Sequence, residues 1–215
     1  LLHSGSVESV TRDKRLVDAD GATVWVQNAL AAVKDETGQD TSFVAQFLDV
    51  TQTRSAQESL AVLAHKDSLT NLWNRRAVLE QMQEGLARSP RRGTSRAVLY
   101  CDLDDFKPIN DRYGHAMGDA LLVEVARRIE CCAPDDAVVG RIGGDEFLVF
   151  LQSCSGVEAA TAVAQCVLDA VKRPISIDGV QLCITLSAGV GLAAPGDDAD
   201  AVIAKADQAL YSAKG

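Results

Sequence analysis

The sequence predicts an α+β fold in which a central antiparallel sheet is flanked by helices. Apolar, β-branched runs of strand length alternate with segments that carry leucine, valine and alanine at helical spacing. In the second part of the chain these segments follow the order β-α-β-β-α-β, which is the ferredoxin-like arrangement. The chain of 215 residues is long enough to bury a core and to contain one or two domains.

Residues 67–215 are predicted to form this α+β domain. Helix 118–132 has the clearest pattern, because its leucine, valine, alanine and isoleucine side chains fall on one face. Pro134 and Pro174 are expected to end the segments before them. The other helices are predicted at 74–88, 155–171 and 200–214, and the strands at 97–103, in a hairpin over 137–151, and at 175–177 and 180–192.

Residues 1–50 are predicted to form strands separated by turns at 18–21 and 34–38. Three antiparallel strands alone make a poor core. The pattern resembles the last three strands of a PAS sensory domain, and the alternative is a small β-appendage without a sensory role. Residues 51–66 are predicted to form a helical linker. It would either transmit a signal between the two parts of the chain or merely connect them.

The composition excludes some function classes. A net charge of −9 argues against binding to a nucleic acid polymer, which requires a cationic face. No apolar run reaches membrane-spanning length, and Leu1-Leu2-His3 is not a signal peptide. We therefore expect a cytoplasmic fragment without membrane contact. Six cysteines are present without a C-x-x-C pair, and we expect reduced, mostly buried thiols rather than a disulfide framework.

Two acidic segments follow predicted strands. Gly143-Gly144-Asp145-Glu146 separates two apolar runs and predicts a hairpin turn, whose glycines could take positive φ and let a ligand approach the backbone. Strand 97–101 runs directly into Asp102. Carboxylates at two strand ends are ligands of the kind that Mg²⁺ takes, with waters and substrate phosphates completing its shell. The alternative is a solvated acidic turn without metal.

Four motifs in order resemble the GGDEF domain, the diguanylate cyclase family, over about residues 64–215. Residues 67–76 resemble D-x-L-T-x-L-x-N-R-R, and residues 102–119 contain D-L-D-x-F-K-x-x-N-D-x-x-G-H-x-x-G-D without a break. Residues 143–147 are the signature itself, and residues 206–214 resemble A-D-x-A-L-Y-x-A-K. The resemblance implies the fold of class III nucleotide cyclases.

The resemblance also implies an activity. Two GTP molecules would condense to cyclic di-GMP with loss of two pyrophosphates, in the presence of Mg²⁺ or Mn²⁺. Because the product is two-fold symmetric and each site would hold one GTP, turnover would require a homodimer. The alternatives are a GTP-binding regulatory module without catalysis, and a sensory or dimerisation fragment.

On the family pattern the metal would be held by Asp102, the backbone carbonyl of Leu103, Asp145 and Glu146. The same three carboxylates would form the catalytic set, with Glu146 near the attacking 3′-hydroxyl. Whether Glu146 removes a proton or only binds metal is left open by the sequence. Arg141, just before the turn, could brace the acidic segment or meet a phosphate.

The substrate-binding residues follow from the same resemblance. Asn110 and Asp119 would recognise guanine, the alternative being turn formation and helix capping. The backbone amides of Phe106 and Lys107 would bind phosphate oxygens, and the Lys107 side chain would add positive charge. Lys214 would contact phosphate from the last helix.

Overall fold

A computed structural model describes residues 9–17, 19–34, 40–54, 65–88 and 93–214. The chain divides into two compact units, residues 1–62 and 63–215. Of the predicted turn at 34–38, only Lys34 is among the described residues. Of the predicted linker over 51–66, residues 55–64 lie outside the described residues.

The first unit contains a three-stranded antiparallel sheet. Its strands are β1 (Ser9–Val17), β2 (Thr23–Lys34) and β3 (Asp40–Asp49), with β2 in the middle. Residues 51–54 are helical, and the Trp25 amide donates to Thr51 Oγ1 at 2.8 Å. Val26 is the single buried side chain among those described in this unit, whereas Phe47 is 64% exposed. The sheet therefore buries little apolar surface by itself.

The second unit contains seven strands and five helices among its described residues. The strands are β4 (Trp73–Asn74), β5 (Ser95–Leu103), β6 (Val138–Arg141), β7 (Glu146–Cys154), β8 (Ile175–Ile177), β9 (Val180–Leu182) and β10 (Leu186–Leu192). The helices are α1 (Arg75–Ala87), α2 (Phe106–Tyr113), α3 (His115–Cys132), α4 (Val157–Lys172) and α5 (Ala199–Lys214). Asn74 caps α1, because its side chain accepts from the Ala77 amide at 3.0 Å.

The central sheet has the order β10-β5-β7-β6-β4. All neighbours are antiparallel except β4 and β6. If the two-residue β4 is set aside, the β-α-β-β-α-β unit begins with β5. This first strand lies between β10, the last strand of the unit, and β7, the third. This is the ferredoxin-like order, so the predicted fold class is confirmed.

Alternating side chains of the sheet enter two apolar layers, as the period of two along a strand requires. Leu99, Cys101 and Phe147 lie in the layer with α3 and α4. Val98 and Phe150 lie in the layer with α1 and α5. Phe147 and Phe150 are fully buried, and burial of each such side chain contributes roughly 1.5–3 kcal/mol.

Two features differ from the sequence prediction. Helix α2 was not predicted from the sequence; of its side chains, only Phe106 and Ile109 pack against the core, so its apolar pattern is weak. The predicted strand 180–192 is interrupted at 183–185, where the Asp104 amide donates to Thr185 O at 3.0 Å. That bond extends the pairing of β10 with β5 by one residue, whereas β9 pairs with β8 and does not join the central sheet.

No helix in the described part of the chain combines the length and the apolar character needed to cross a bilayer.

Candidate active site

The two acidic segments meet across β5 and β7. Asp102 and Glu146 are directly paired in the antiparallel register, so both side chains lie on the same face of the sheet. The Leu103 amide donates to Asp145 O at 3.1 Å, and the Ile142 amide donates to Glu146 O at 3.0 Å. Like charges directly opposite each other in a sheet repel. A cation between Asp102 and Glu146 would relieve this repulsion.

Gly143 provides space for the Glu146 side chain. A Cβ atom at residue 143 would lie 2.1 Å from Glu146 Oε2, whereas a Cβ atom at residue 144 would meet nothing within 4 Å. Neither glycine has positive φ, so the expectation of a left-handed conformation at the turn was wrong. Gly143 is required because Glu146 folds back over it, not because the backbone is strained.

Tyr100 contacts the Glu146 carboxylate from the neighbouring strand. Its hydroxyl donates to Glu146 Oε1 at 2.9 Å. Partial burial, and then the hydrogen bond and charge of Glu146, raise the pKa of Tyr100 above its ordinary value. The phenol therefore stays protonated and remains a donor. The sequence analysis did not identify this residue, although its position two before Asp102 puts it on the same strand face.

Arg141 braces the signature turn. Its Nε and Nη2 atoms donate to Gly144 O at 3.1 and 2.7 Å, and its Nη1 atom donates to Asp67 Oδ1 at 3.1 Å. Asp67 also accepts from the amide and hydroxyl of Thr70 at 2.9 and 2.7 Å. These bonds connect the first and third motifs of the sequence in space.

The pKa of Asp67 reflects opposing effects. Partial burial raises it, but the hydrogen bonds from Thr70 and Arg141 together hold it below its usual range. Asp67 therefore remains ionised and continues to pair with Arg141 at neutral pH.

The donor set fits a hard divalent cation. Among the described residues, no group of three or more His, Cys, Asp or Glu side chains is arranged to hold a metal ion. Mg²⁺ does not need such a group, since one or two carboxylates can bind it together with waters and substrate phosphates. Asp102 and Glu146 supply two carboxylates on one sheet face. The carboxylate of Asp104 accepts from Thr185 Oγ1 and Ser187 Oγ, each at 2.7 Å, and so joins the ends of β5 and β10.

Helix α2 begins close to this site along the chain. Asp105 precedes it with a left-handed φ of 54°. Phe106 and Lys107 are the first two helical residues, and their amides have no acceptor within the helix. Among the described contacts, the Asp105 side chain makes no capping hydrogen bond to these amides. These amides have the orientation that anion binding at a helix N-terminus requires.

The structure brings the two predicted guanine-recognition residues together. The Asn110 side chain on α2 lies against Gly118 of α3, since a Cβ atom at residue 118 would be 1.9 Å from Asn110 Oδ1. Asp119 is the next residue and is exposed. Asn110 and Asp119 thus belong to one surface between α2 and α3.

Lys214 lies in the last turn of α5, and its side chain is outside the described set. The α5 backbone crosses β10 closely at its two glycines, because Cβ atoms there would meet Val202 O at Gly191 and Ala206 O at Gly189. Helix α5 therefore runs toward the end of the sheet where Ser187 pairs with Asp102. The backbone of Lys214 is at that end.

Comparisons with known proteins identify the family of the second unit. The family model "Diguanylate cyclase, GGDEF domain" matches residues 64–215. Diguanylate cyclase TpbB of Pseudomonas aeruginosa is 36% identical over 193 residues, covering 88% of this chain and 44% of the relative. Cyclic di-GMP phosphodiesterase PdeR of Escherichia coli is 40% identical over 167 residues, covering 77% of this chain and 25% of the relative. The chain spans less than half of these relatives.

Solved structures show the same fold. The coiled coil and GGDEF domain of DgcB from Caulobacter crescentus, in complex with c-di-GMP, matches with a TM-score of 0.71 at 28% identity, covering 77% of this chain and 88% of that one. The GGDEF domain of TpbB from Pseudomonas aeruginosa matches with a TM-score of 0.66 at 37% identity, covering 70% and 88%. The four motifs, the sheet order and these matches together show that the chain belongs to the GGDEF family of diguanylate cyclase domains.

Proposed function

We propose that this chain condenses two GTP molecules into cyclic di-GMP and two pyrophosphates. The observation that carries the proposal is the Asp102–Glu146 pair on one face of β5 and β7. It supplies the carboxylates that phosphoryl transfer needs for charge neutralisation and positioning. Membership of a family that includes the diguanylate cyclase TpbB supports the reaction class.

Asp102, the Leu103 carbonyl, Asp145 and Glu146 would hold Mg²⁺ or Mn²⁺. The bound metal would neutralise phosphate charge and favour ionisation of the 3′-hydroxyl. Glu146 is held by Tyr100 on one side and lies over Gly143 on the other. This fixed carboxylate would accept a hydrogen bond from the 3′-hydroxyl and orient it toward the α-phosphorus.

The remaining predicted residues would bind GTP. The amides of Phe106 and Lys107 would contact the β- and γ-phosphates at the start of α2. The Asp119 carboxylate would accept from guanine N1–H and the 2-amino group, and Asn110 would pair with another edge of the base. Lys214 would add charge near the triphosphate.

Turnover would require two copies of the chain. Each site would bind one GTP, and the product joins two nucleotides by two equivalent phosphodiester bonds. The two sites must therefore face each other in a homodimer, at least transiently.

The first unit would regulate this reaction as the C-terminal part of a PAS-like sensory domain, connected by a helical linker over 51–66. The antiparallel sheet over 9–49 and its exposed apolar side chains, Val44, Phe47 and Leu48, support the proposal, because a sensory domain would have further elements to cover them. We place the protein in the cytoplasm, where GTP is available.

The direct test is incubation of the chain with GTP and MgCl₂, followed by separation of the nucleotides by chromatography. We expect cyclic di-GMP and pyrophosphate in a ratio of one to two, and no product after removal of divalent cations with EDTA. Because turnover would require two copies of the chain, the assay should be repeated with the chain fused to a parallel dimeric coiled coil. Failure of both forms to make product would overturn the proposal.

A second candidate is a GTP-binding regulatory module without turnover. The specific observation in its favour is the 40% identity to PdeR, whose name gives it a phosphodiesterase activity. Titration calorimetry combined with a pyrophosphate-release assay separates the two candidates. A regulatory module would bind GTP in the presence of Mg²⁺ but release no pyrophosphate even when dimerised.

A further inference from the structure

Two cysteine side chains lie in contact on the surface formed by α3 and α4. Cys132 is the last residue of α3, and Cys166 lies in the middle of α4. Their sulfur atoms are 2.6 Å apart. A covalent S–S bond is about 2.05 Å long, so only a small shift separates the contact from a bond.

The packing of the two helices holds this pair in place. The Arg128 side chain leaves α3 and donates to Ala170 O at 2.8 Å and to Pro174 O at 3.1 Å, at the C-terminal end of α4. Its Nε atom also pairs with Glu124 at 2.8 Å. Arg128 is only 14% exposed. The approach of Cys132 to Cys166 is thus part of a fixed helix–helix contact.

The pair is accessible to small molecules. Only Cys101 and Cys154 are buried among the six cysteines; Cys166 is exposed and Cys132 is partly exposed. The expectation of mostly buried thiols was therefore wrong, because four of the six cysteines lie on the outer surface of α3 and α4 or in the segment after β9. Burial, and then the neighbouring Cys166, raise the pKa of the Cys132 thiol to about 12. Cys166 is more exposed than Cys132, so a small oxidant reaches Cys166 first.

Arg127, Arg128, Arg173 and Asp169 line the same surface depression as the cysteines. Of these, Arg173 lowers the pKa of Cys132 and so partly offsets the effect of burial.

We propose that Cys132 and Cys166 form a reversible disulfide when the protein meets a peroxide. The Cys166 thiolate attacks one peroxide oxygen, the O–O bond breaks, and the leaving hydroxide takes a proton to become water. The resulting sulfenic acid is attacked by the Cys132 sulfur, its S–O bond breaks, and a second water leaves with the Cys132 proton. Two thiols lose two electrons and two protons, and one hydrogen peroxide becomes two waters. A dithiol reductant reverses the bond.

The bond would enclose the catalytic hairpin. Cys132 and Cys166 are 34 positions apart, and β6, β7 and the signature turn lie between them. A cross-link restricts the unfolded chain more when the loop that it closes is longer. For a loop of this length we expect the oxidised chain to melt about 5–15 °C above the reduced chain.

The test uses the full chain and hydrogen peroxide. Samples are oxidised until the exposed Cys183 is modified, which provides an internal measure of dose. Remaining thiols are then blocked with N-ethylmaleimide, and peptides are identified by mass spectrometry after a double digest that separates Cys154 from Cys166. We expect a cross-linked peptide, lighter by two hydrogen atoms, that joins Cys132 to Cys166 and disappears with dithiothreitol.

Matched variants complete the test. Cys131→Ser should keep both the cross-link and the melting shift, whereas Cys132→Ser and Cys166→Ser should lose both. Melting of the reduced variants checks that they fold. A modified Cys183 beside an unlinked pair would overturn the proposal. A cross-link between Cys131 and Cys166 that persists in the Cys132→Ser variant would also overturn the proposal.

Discussion

The Tyr100 hydroxyl donates a 2.9 Å hydrogen bond to Glu146 Oε1 across strands β5 and β7. The bond joins a residue outside the family signature to the carboxylate that would orient the attacking hydroxyl. A hydrogen bond to a charged group contributes about 1.5–3 kcal/mol. Loss of a contribution of this size is large enough to be measured as a change in reaction rate.

Tyr100→Phe removes the donor and keeps the ring. Because Glu146 then loses the contact that fixes its rotamer, we expect the rate of cyclic di-GMP formation at saturating GTP to fall by about tenfold. The melting temperature should change little. Tyr113→Phe is the matched control, since Tyr113 is exposed and its ring contacts Arg112. An unchanged rate in Tyr100→Phe would show that the bond does not position Glu146.

The two signature glycines are expected to differ in their response to alanine. Gly143→Ala would put a methyl group 2.1 Å from Glu146 Oε2, whereas Gly144→Ala would meet nothing within 4 Å. Neither position needs positive φ, so the contrast is one of space alone. We expect Gly143→Ala to lose at least about tenfold in turnover through displacement of a catalytic carboxylate, with Gly144→Ala close to wild type. Equal activities of the two variants would refute this account.

Asp102→Ala and Asp145→Ala should each abolish cyclic di-GMP formation and metal-dependent GTP binding. The expected reason is the loss of an oxygen ligand to the divalent cation. The measurements are product analysis and titration calorimetry with and without Mg²⁺, with circular dichroism to check the fold. Turnover within tenfold of wild type in either variant would remove that residue from the metal site.

Guanine selectivity is expected from Asn110 and Asp119. A site that hydrogen-bonds a base edge discriminates strongly against a base that leaves its polar groups unpaired. Gly118→Ala should weaken GTP binding as well, because a Cβ atom at residue 118 would displace the Asn110 side chain. Calorimetric titrations with GTP and ATP in the presence of Mg²⁺ test both points. Equal affinities for the two nucleotides in the wild type would contradict the assignment.

The Asp67–Arg141 pair is expected to make stability depend on pH. The pKa of Asp67 is lowered in the folded chain, so its contribution is present above the unfolded pKa of about 3.9 and is lost as the pH falls through the folded pKa. Asp67→Asn should reduce the free energy of unfolding by roughly 1 kcal/mol at pH 7. The difference from wild type should shrink as the pH falls below about 4. Urea denaturation of both proteins between pH 7 and pH 3.5 measures it, and a difference that is constant with pH would exclude the pair as its source.

Much of this protein was determined by its sequence. The apolar face of helix α3 was predicted over 118–132 and is observed over His115–Cys132, because a 3.6-residue period is a local property of the chain. The motif order was enough to identify the family and the fold class. Asp102 was expected to share a site with Asp145 or Glu146 because the two acidic segments adjoin apolar runs, and the register pairs Asp102 with Glu146.

Other features depended on which segments meet in space. Tyr100 could not be distinguished from an ordinary strand residue by sequence; its role depends on β7, which places Glu146 opposite Asp102, two residues further along β5. Gly143 was expected to adopt a special backbone angle, but the folded Glu146 side chain is what excludes a larger residue.

The contact between the two cysteines could not be predicted from the sequence either. Nothing in the spacing of Cys132 and Cys166 predicts a contact, since they are 34 positions apart and on different helices. Secondary structure follows from local periodicity, whereas contacts between distant residues follow from strand register and helix packing. For that reason, only the tertiary structure reveals the Tyr100–Glu146 hydrogen bond, the contact of Glu146 with Gly143, and the contact between the two thiols.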